Sequence, residues 1–309
     1  MSHIQRIFSA AILSGLALML SGCKAALLNP KGMIAADEKH IMLTSVWLML
    51  IVVIPVFILT FAFCWRYRAS NTKATYSPNW SHSTTLEIIW WSIPCVIIAI
   101  LGVITWVSSY RLDPYKSLAT NGAKPVIIQA ISLEWKWLFI YPDEHVATVN
   151  YVNIPVGVPV QFLITAEGPM NSIQIPQLAG QIYAMAGMQT KLNLIADAPG
   201  DYRGMAANFT GEGFSDMNFI VHAGTPDEFH QWVKTAQASP SKLTMAEYDR
   251  LVKPSQRNVV QYYSSAGKEI FEASIMKYMM PMHDMKSPDE KETILADEKN
   301  NKGAHNHAG

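Results

Sequence analysis

The sequence predicts a two-helix transmembrane hairpin, an all-β sandwich after it, and a helical C-terminal extension. Three observations predict that order. Two stretches, Ile41 to Trp65 and Ile88 to Tyr110, contain no charged residue. From Pro125 to about Gly224, short apolar runs alternate with turn-forming residues, at the spacing of an antiparallel sandwich or barrel. Beyond Gly224 the pattern becomes helical, with capping signals. Only 16% of the 309 residues are charged, against about 25% in an ordinary soluble domain, which agrees with membrane segments. The formal net charge is zero and no Lys/Arg run occurs, so nucleic acid is not an expected partner.

The N-terminal end reads as an export signal. His3 and Arg6 precede an apolar run from Ile7 to Leu20, too short to span a bilayer comfortably. Leu20-Ser21-Gly22-Cys23 then places small residues before a cysteine, which resembles the bacterial lipobox. In such signals the cysteine is acylated and becomes the mature N-terminus. Residues 1–22 are therefore expected to be a lipoprotein signal peptide and Cys23 to carry an acyl/diacylglycerol lipid. The plainer alternative is a signal peptide or anchor with an incidental cysteine. Residues 23–40 follow as an outer N-terminal segment.

The uncharged runs at 41–65 and 88–110 each exceed the roughly 20 residues that cross a hydrocarbon core. Each holds one proline, Pro55 or Pro94, which membrane helices tolerate. Trp65, Trp90, Trp91 and Trp106 lie near the run ends, as interfacial aromatics do. The loop between them, 66–87, carries Arg66, Arg68 and Lys73, with Glu87 its only acid. Segment 24–40 mixes Lys24, Lys31 and Lys39 with Asp37 and Glu38. The positive-inside rule puts the loop in the cytoplasm. Both the N-terminus and everything after a 111–124 linker then face the periplasm of a bacterial inner (cell) membrane.

The β region spans 125–224. Its apolar runs are Val126–Ile131, Glu134–Tyr141, Val156–Ala166, Lys191–Ala196 and Phe214–Val221. In the second, alternation sets Trp135, Trp137, Phe139 and Tyr141 on one face. The helical extension covers 225–282. Thr225-Pro226-Asp227-Glu228 and Thr244-Met245-Ala246-Glu247 are capping boxes, Ala238 to Ser241 is a linker, and Gln261 to about Met282 is an amphipathic helix. The tail, 283–309, is polar and reads as disordered.

Several segments in this frame resemble subunit II of the haem–copper respiratory oxidases, most closely that of the cytochrome bo-type ubiquinol oxidases. They are Thr85-Leu86-Glu87-Ile88-Ile89-Trp90-Trp91, Glu134-Trp135-Lys136-Trp137, Gly168-Pro169-Met170-Asn171-Ser172 with Ile175-Pro176-Gln177-Leu178, Gln181 through Thr190, and Gly213-Phe214-Ser215. The resemblance covers about residues 20–282. It implies a cupredoxin-like sandwich, and a subunit of a complex that oxidises ubiquinol, reduces dioxygen to water and moves protons outward. The implied partners are oxidase subunits I, III and IV, with ubiquinol used through subunit I, which would hold the haems and copper.

In the related cytochrome c oxidase branch the sandwich carries a dinuclear copper site. Its pattern is a histidine in the first ligand loop, then Cys-x-Glu-x-Cys-Gly-x-x-His-x-x-Met. Aligned through Gly211 and Met217, this chain has Ala206 and Thr210 at the cysteine positions, Asn208 at the glutamate, Phe214 at the second histidine and Asn171 at the first. Only Met217 is kept, and core packing is its expected role. The residues argue the same way unaided. Such a centre needs thiolate, and the three cysteines, Cys23, Cys64 and Cys95, all precede the sandwich. No metal and no cofactor are expected on this subunit, and no cytochrome c partner. Trp135 and Trp137 are expected as core or subunit contact.

The resemblance also marks Glu87, where subunit II contributes an acidic proton entry to subunit I. The bland reading is a solvated first-turn glutamate favoured by the helix dipole. Met276, Met279, Met280, Met282, His283 and Met285, with His305 and His307, could bind copper(I), but 276, 279, 280 and 283 also suit an amphipathic packing or interface face. Two other functions compete with the oxidase subunit. An electron-transfer cupredoxin would need the missing cysteine pair, and a free-standing membrane lipoprotein would be stable alone.

Overall fold

The computed structural model describes residues 25–279 except 76, 78, 119–123 and 268. Cys23, the signal segment, Met280, Met282, His283, Met285 and the tail lie outside the described residues. Two long helices, α1 (Met33–Arg66) and α2 (Thr84–Arg111), form the N-terminal part. Each extends beyond its uncharged run, α1 by a polar turn containing Asp37, Glu38 and Lys39. Pro55 and Pro94 lie inside the helices without ending them. Their apolar side chains point outward and almost none are buried, so both helices are long and apolar enough to cross a membrane. The open ends of the pair are tied by Arg111 Nη2 donating to Asp37 Oδ2 at 2.9 Å.

Eleven strands follow: β1 (Val126–Leu133), β2 (Lys136–Tyr141), β3 (Val146–Val149), β4 (Tyr151–Pro155), β5 (Val160–Ala166), β6 (Asn171–Ile175), β7 (Ala179–Ala184), β8 (Thr190–Leu194), β9 (Gly200–Ala206), β10 (Asn218–Gly224) and β11 (Gln261–Tyr263). They form two sheets, ordered β11-β3-β2-β1-β5-β8 and β4-β10-β9-β6-β7. The sandwich is mixed, not purely antiparallel as expected. β5 runs parallel to β1, and β4 parallel to β10. The chain leaves the first sheet after β3, passes through the second as β4, and returns as β5 on the free side of β1.

Inward side chains of both sheets make the main core, with Trp137, Phe139, Phe162 and Phe219 in mutual ring contact or one ring removed, and Tyr141 against Phe229 and Trp232. A second cluster lies on the outer face of the first sheet, where Leu138, Ile140 and Val149 meet Leu243, Tyr248, Leu251 and Phe271 of the extension. Trp137, Phe139 and Tyr141 do share the core face, but Trp135 does not. Its φ is +62°, and it turns the β1–β2 hairpin instead of extending the strand. Likewise Phe214–Asp216 is a 3-10 turn, so the last sandwich strand starts only at Asn218.

The extension contains α3 (Pro226–Gln237), α4 (Met245–Val252) and α5 (Ile270–Met279). Thr225 and Glu228 form a complete capping box at α3, and Thr244 Oγ1 accepts from the Glu247 N–H at α4. The amphipathic reading of 261–282 is corrected. Gln261–Tyr263 is strand β11, which covers the edge of β3, and among the described residues of that range only Ile270–Met279 is helical. Aromatic residues suit a strand, and an uncovered edge would be a site for stray pairing. Met276 and Met279 are exposed among the described residues.

Hydrogen bonds fasten the helix pair to the sandwich. Lys31 N–H donates to Gln177 O (2.7 Å), Asp197 N–H donates to Lys31 O (2.7 Å), and Gln177 Nε2 donates to Asn29 O (3.0 Å). A Cβ at Gly32 would come within 2.7 Å of the backbone oxygens of Leu178 and Ile195, so only glycine fits there. After α2, Pro114 O accepts from both the main-chain and side-chain N–H of Asn193.

Candidate functional site

The six residues aligned to copper-ligand positions lie at one end of the sandwich, on β6, β9 and the loop into β10. Asn171 opens β6 and is buried. Its amide donates to Ser132 Oγ (3.0 Å) and Met217 Sδ (3.2 Å), while its oxygen accepts from Ser172 N–H (2.8 Å). Met217 is 1% exposed, and its carbonyl accepts from Ala206 N–H at 3.1 Å. Asn171, Ser132, Met217 and Ala206 therefore form one enclosed group. It offers an amide, a hydroxyl, a thioether and a methyl, but no thiolate and no imidazole.

The remaining three positions stand apart from that group. Asn208 is half-buried and makes no hydrogen bond among the described residues. Phe214 packs edge-on against Phe209, with 5.6 Å between ring centres, and Phe209 is 81% exposed. The Thr210 carbonyl accepts from Trp135 Nε1 at 3.1 Å. The Thr210 hydroxyl is enclosed yet finds no partner among the described residues. Trp135 explains the loop's glycines. Its ring lies where a Cβ on Gly213 would be, and under Gly211, whose φ is +106°. The tryptophan that leaves the strand thus props the loop from beneath.

Glu87 sits in the first turn of α2, half-buried, at the end of the pair away from the sandwich. Its N–H donates to Ser83 O at 3.0 Å, and its carboxylate has no ion pair or hydrogen bond among the described residues. Cys64 and Cys95 are free and exposed on the two helices. No group of three or more His, Cys, Asp or Glu suited to a metal occurs among the described residues. His222 is paired with Asp201 (2.6 Å), and His145 sits in a turn with φ +58°.

Two buried charges beneath the extension went unforeseen. Lys136 is 1% exposed, and its amine donates to Lys253 O (2.9 Å), just past α4, and to Glu134 O (3.2 Å). Burial pushes its pKa down to about 8, with nearby Glu134 opposing and Arg250 adding to the shift. Glu167 has a fully enclosed carboxylate that accepts from Tyr248 (2.9 Å), from Tyr278 (3.3 Å) and from Lys277. Burial, and then the Glu167 charge, push the Tyr248 phenol well up. Lys136 stood inside one of the quoted segments. Its place on the Leu138 and Ile140 face was the available signal.

Comparison with known proteins adds to this geometry. The family described as "Cytochrome C oxidase subunit II, periplasmic domain" matches residues 105–224, and "COX Aromatic Rich Motif" matches 237–282. The chain is 51% identical over 262 residues to the cytochrome bo(3) ubiquinol oxidase subunit 2 of Pseudomonas aeruginosa, covering 85% of this chain and 79% of that one. It is 46% identical over 263 residues to the ubiquinol oxidase subunit 2 of Acetobacter aceti, covering 85% of each. Among solved structures, the periplasmic domain of subunit II of the Bradyrhizobium japonicum cytochrome oxidase aligns with a TM-score of 0.36 at 19% identity, over 40% of this chain and 95% of that one.

Proposed function

The chain belongs to the ubiquinol oxidase subunit 2 family of the haem–copper oxidases, and from that premise we propose that its sandwich is a non-redox part of the complex that holds no copper. The family makes the chain a subunit of a respiratory oxidoreductase, working with partner subunits in a membrane. The free-standing lipoprotein reading loses to it.

One observation carries the proposal about copper. The residue at the first histidine position, Asn171, spends its amide on Met217 and Ser132, inside the domain whose relatives are cytochrome c oxidase subunits. Dinuclear copper needs bridging thiolates and imidazoles. Ala206, Asn208, Thr210 and Phe214 supply neither, so the donor set does not fit the metal. Electrons therefore do not enter through this domain from cytochrome c, and this subunit binds no haem or copper of its own. The quinol, haem and copper chemistry belongs to subunit I. This chain caps it from the outer side and assembles with subunits III and IV. Its loop at 66–87 lies in the cytoplasm, its sandwich lies in the periplasm, and Cys23 carries the lipid anchor.

Tagging the chain, extracting it in mild detergent and following oxygen uptake tests this reading. Haem should co-purify, with uptake from quinol and none from reduced cytochrome c. Uptake from cytochrome c would defeat the copper argument.

Glu87 is the proposed proton entry. An acid at the membrane boundary that has no partner among the described residues is costly unless solvated, which suits a water-fed inlet. Glu87→Ala should slow steady-state turnover without abolishing it, because the haem and copper chemistry belongs to subunit I. Unchanged turnover and unchanged haem reduction would leave Glu87 as a solvated helix-start residue.

A further inference from the structure

We infer that the outer end of the α1–α2 pair binds one zwitterionic phospholipid, with Arg111 taking the headgroup phosphate and Asp37 its ammonium. The inference rests on the proposed placement of the two helices across the membrane, with Met33 and Arg111 at the outer surface.

The site is a cleft of about 220 Å³ between the helices. Ile41, Ile104 and Val107 line its apolar wall, and Asp37, His40 and Arg111 its polar part. Apolar wall toward the bilayer and charge toward water is the profile of a lipid. Trp106 and Tyr110, in ring contact at 5.3 Å and both exposed, mark the same level of α2 as interfacial.

Charge complementarity selects the headgroup. Arg111 bonds Asp37 through Nη2 alone, leaving Nε and Nη1 uncommitted among the described residues. A guanidinium fork suits a phosphate, and the Asp37 oxygens keep lone pairs for an ammonium. Asp37, Glu38, Lys39 and Arg111 sum to zero, so no net positive potential draws an anionic lipid. The apolar wall and the charged rim of the cleft together suit a headgroup with the first part of an acyl chain.

The test uses the assembled oxidase in mild detergent, partly delipidated and then offered phosphatidylethanolamine or phosphatidylglycerol. Retained lipid is counted by native mass spectrometry for the parent, Arg111→Gln, Val107→Trp and the control Arg203→Gln. The parent and the control should keep one phosphatidylethanolamine more than the other two, which should rebind it about tenfold more weakly. Val107→Trp fills the cleft and leaves the ion pair intact, so it decides the matter if Arg111→Gln fails to assemble. Equal retention in all four, or phosphatidylglycerol rebinding as well as phosphatidylethanolamine, overturns the inference. Haem content and quinol-driven oxygen uptake are read on the same samples. Equal lipid retention with haem intact defeats the lipid site alone, whereas a colourless parent chain defeats the proposed assembly and the lipid site with it.

Discussion

Phe139 and Phe61 are the same residue in two solvents. Phe139 is fully enclosed between the sheets, 5.0 Å from the ring of Phe219 and 6.4 Å from that of Trp137. Phe61 stands 69% exposed on α1. The sandwich hides its apolar surface from water, and close packing holds it together. The helix pair leaves its apolar surface exposed on this chain, and within a membrane no hydrophobic force draws helices together. A few polar contacts therefore set its arrangement: Arg111 with Asp37, and the bonds around Lys31 and Pro114.

The contrast can be broken or sharpened by substitution. Phe139→Ala should cost the most, about 3–5 kcal/mol of stability on denaturant unfolding. A cost below about 1 kcal/mol would mean that the sandwich core is not what holds the domain.

Lys136→Met should come next, and its signature is a slope against pH. The folded pKa of about 8 lies below the ordinary lysine value, so the unfolded chain holds more protons between about pH 8 and 10.5. Stability of the parent should therefore rise through that window, by at most about 3 kcal/mol at 1.36 kcal/mol per pKa unit. Below pH 8 the cost of burying the charge is fully present. The variant should lose the rise, although two carbonyls lose their donor. Parallel thermal midpoints from pH 7 to 11 would refute the buried-charge account.

Tyr248→Phe removes one donor from the enclosed Glu167 and should cost about 1–2 kcal/mol. The loss should register as faster amide exchange in α5, and unchanged exchange would show the node to be slack. Phe61→Ala should be the mildest, within about 0.5 kcal/mol. A cost near that of Phe139→Ala would show that this face of α1 is packed against protein in the assembly.

What the sequence disclosed follows the range of the signal. The helices were legible because twenty-odd uncharged residues are a compositional fact. The cap at Thr225 was legible because Glu228 lies three residues away. Trp135, His145 and Asn150 defeated the strand pattern because each takes a positive φ that no pattern of polarity announces. That is why Glu134–Tyr141 read as one run, and why β3 and β4 went unseen. The parallel pairing of β1 with β5 depends on the route between sheets, which no local window contains. At the candidate site, the family pattern paired Asn171 with Met217 across 46 residues, but it carried no hint of Ser132. The partners of Glu167 lie 81, 110 and 111 residues away, beyond any periodicity.

The strap at Asn29–Gly32 also sets a schedule for biosynthesis. It leads directly into α1, yet the main-chain groups that grip Lys31 belong to Gln177 and Asp197, the latter 166 residues later in the chain. At about 5–20 residues per second, the ribosome needs roughly 8–33 seconds to supply them. For that interval the first helix lacks these two bonds to the sandwich. A chaperone or partner that sets the angle of α1 has its opportunity then, before Gly32 closes between Leu178 and Ile195.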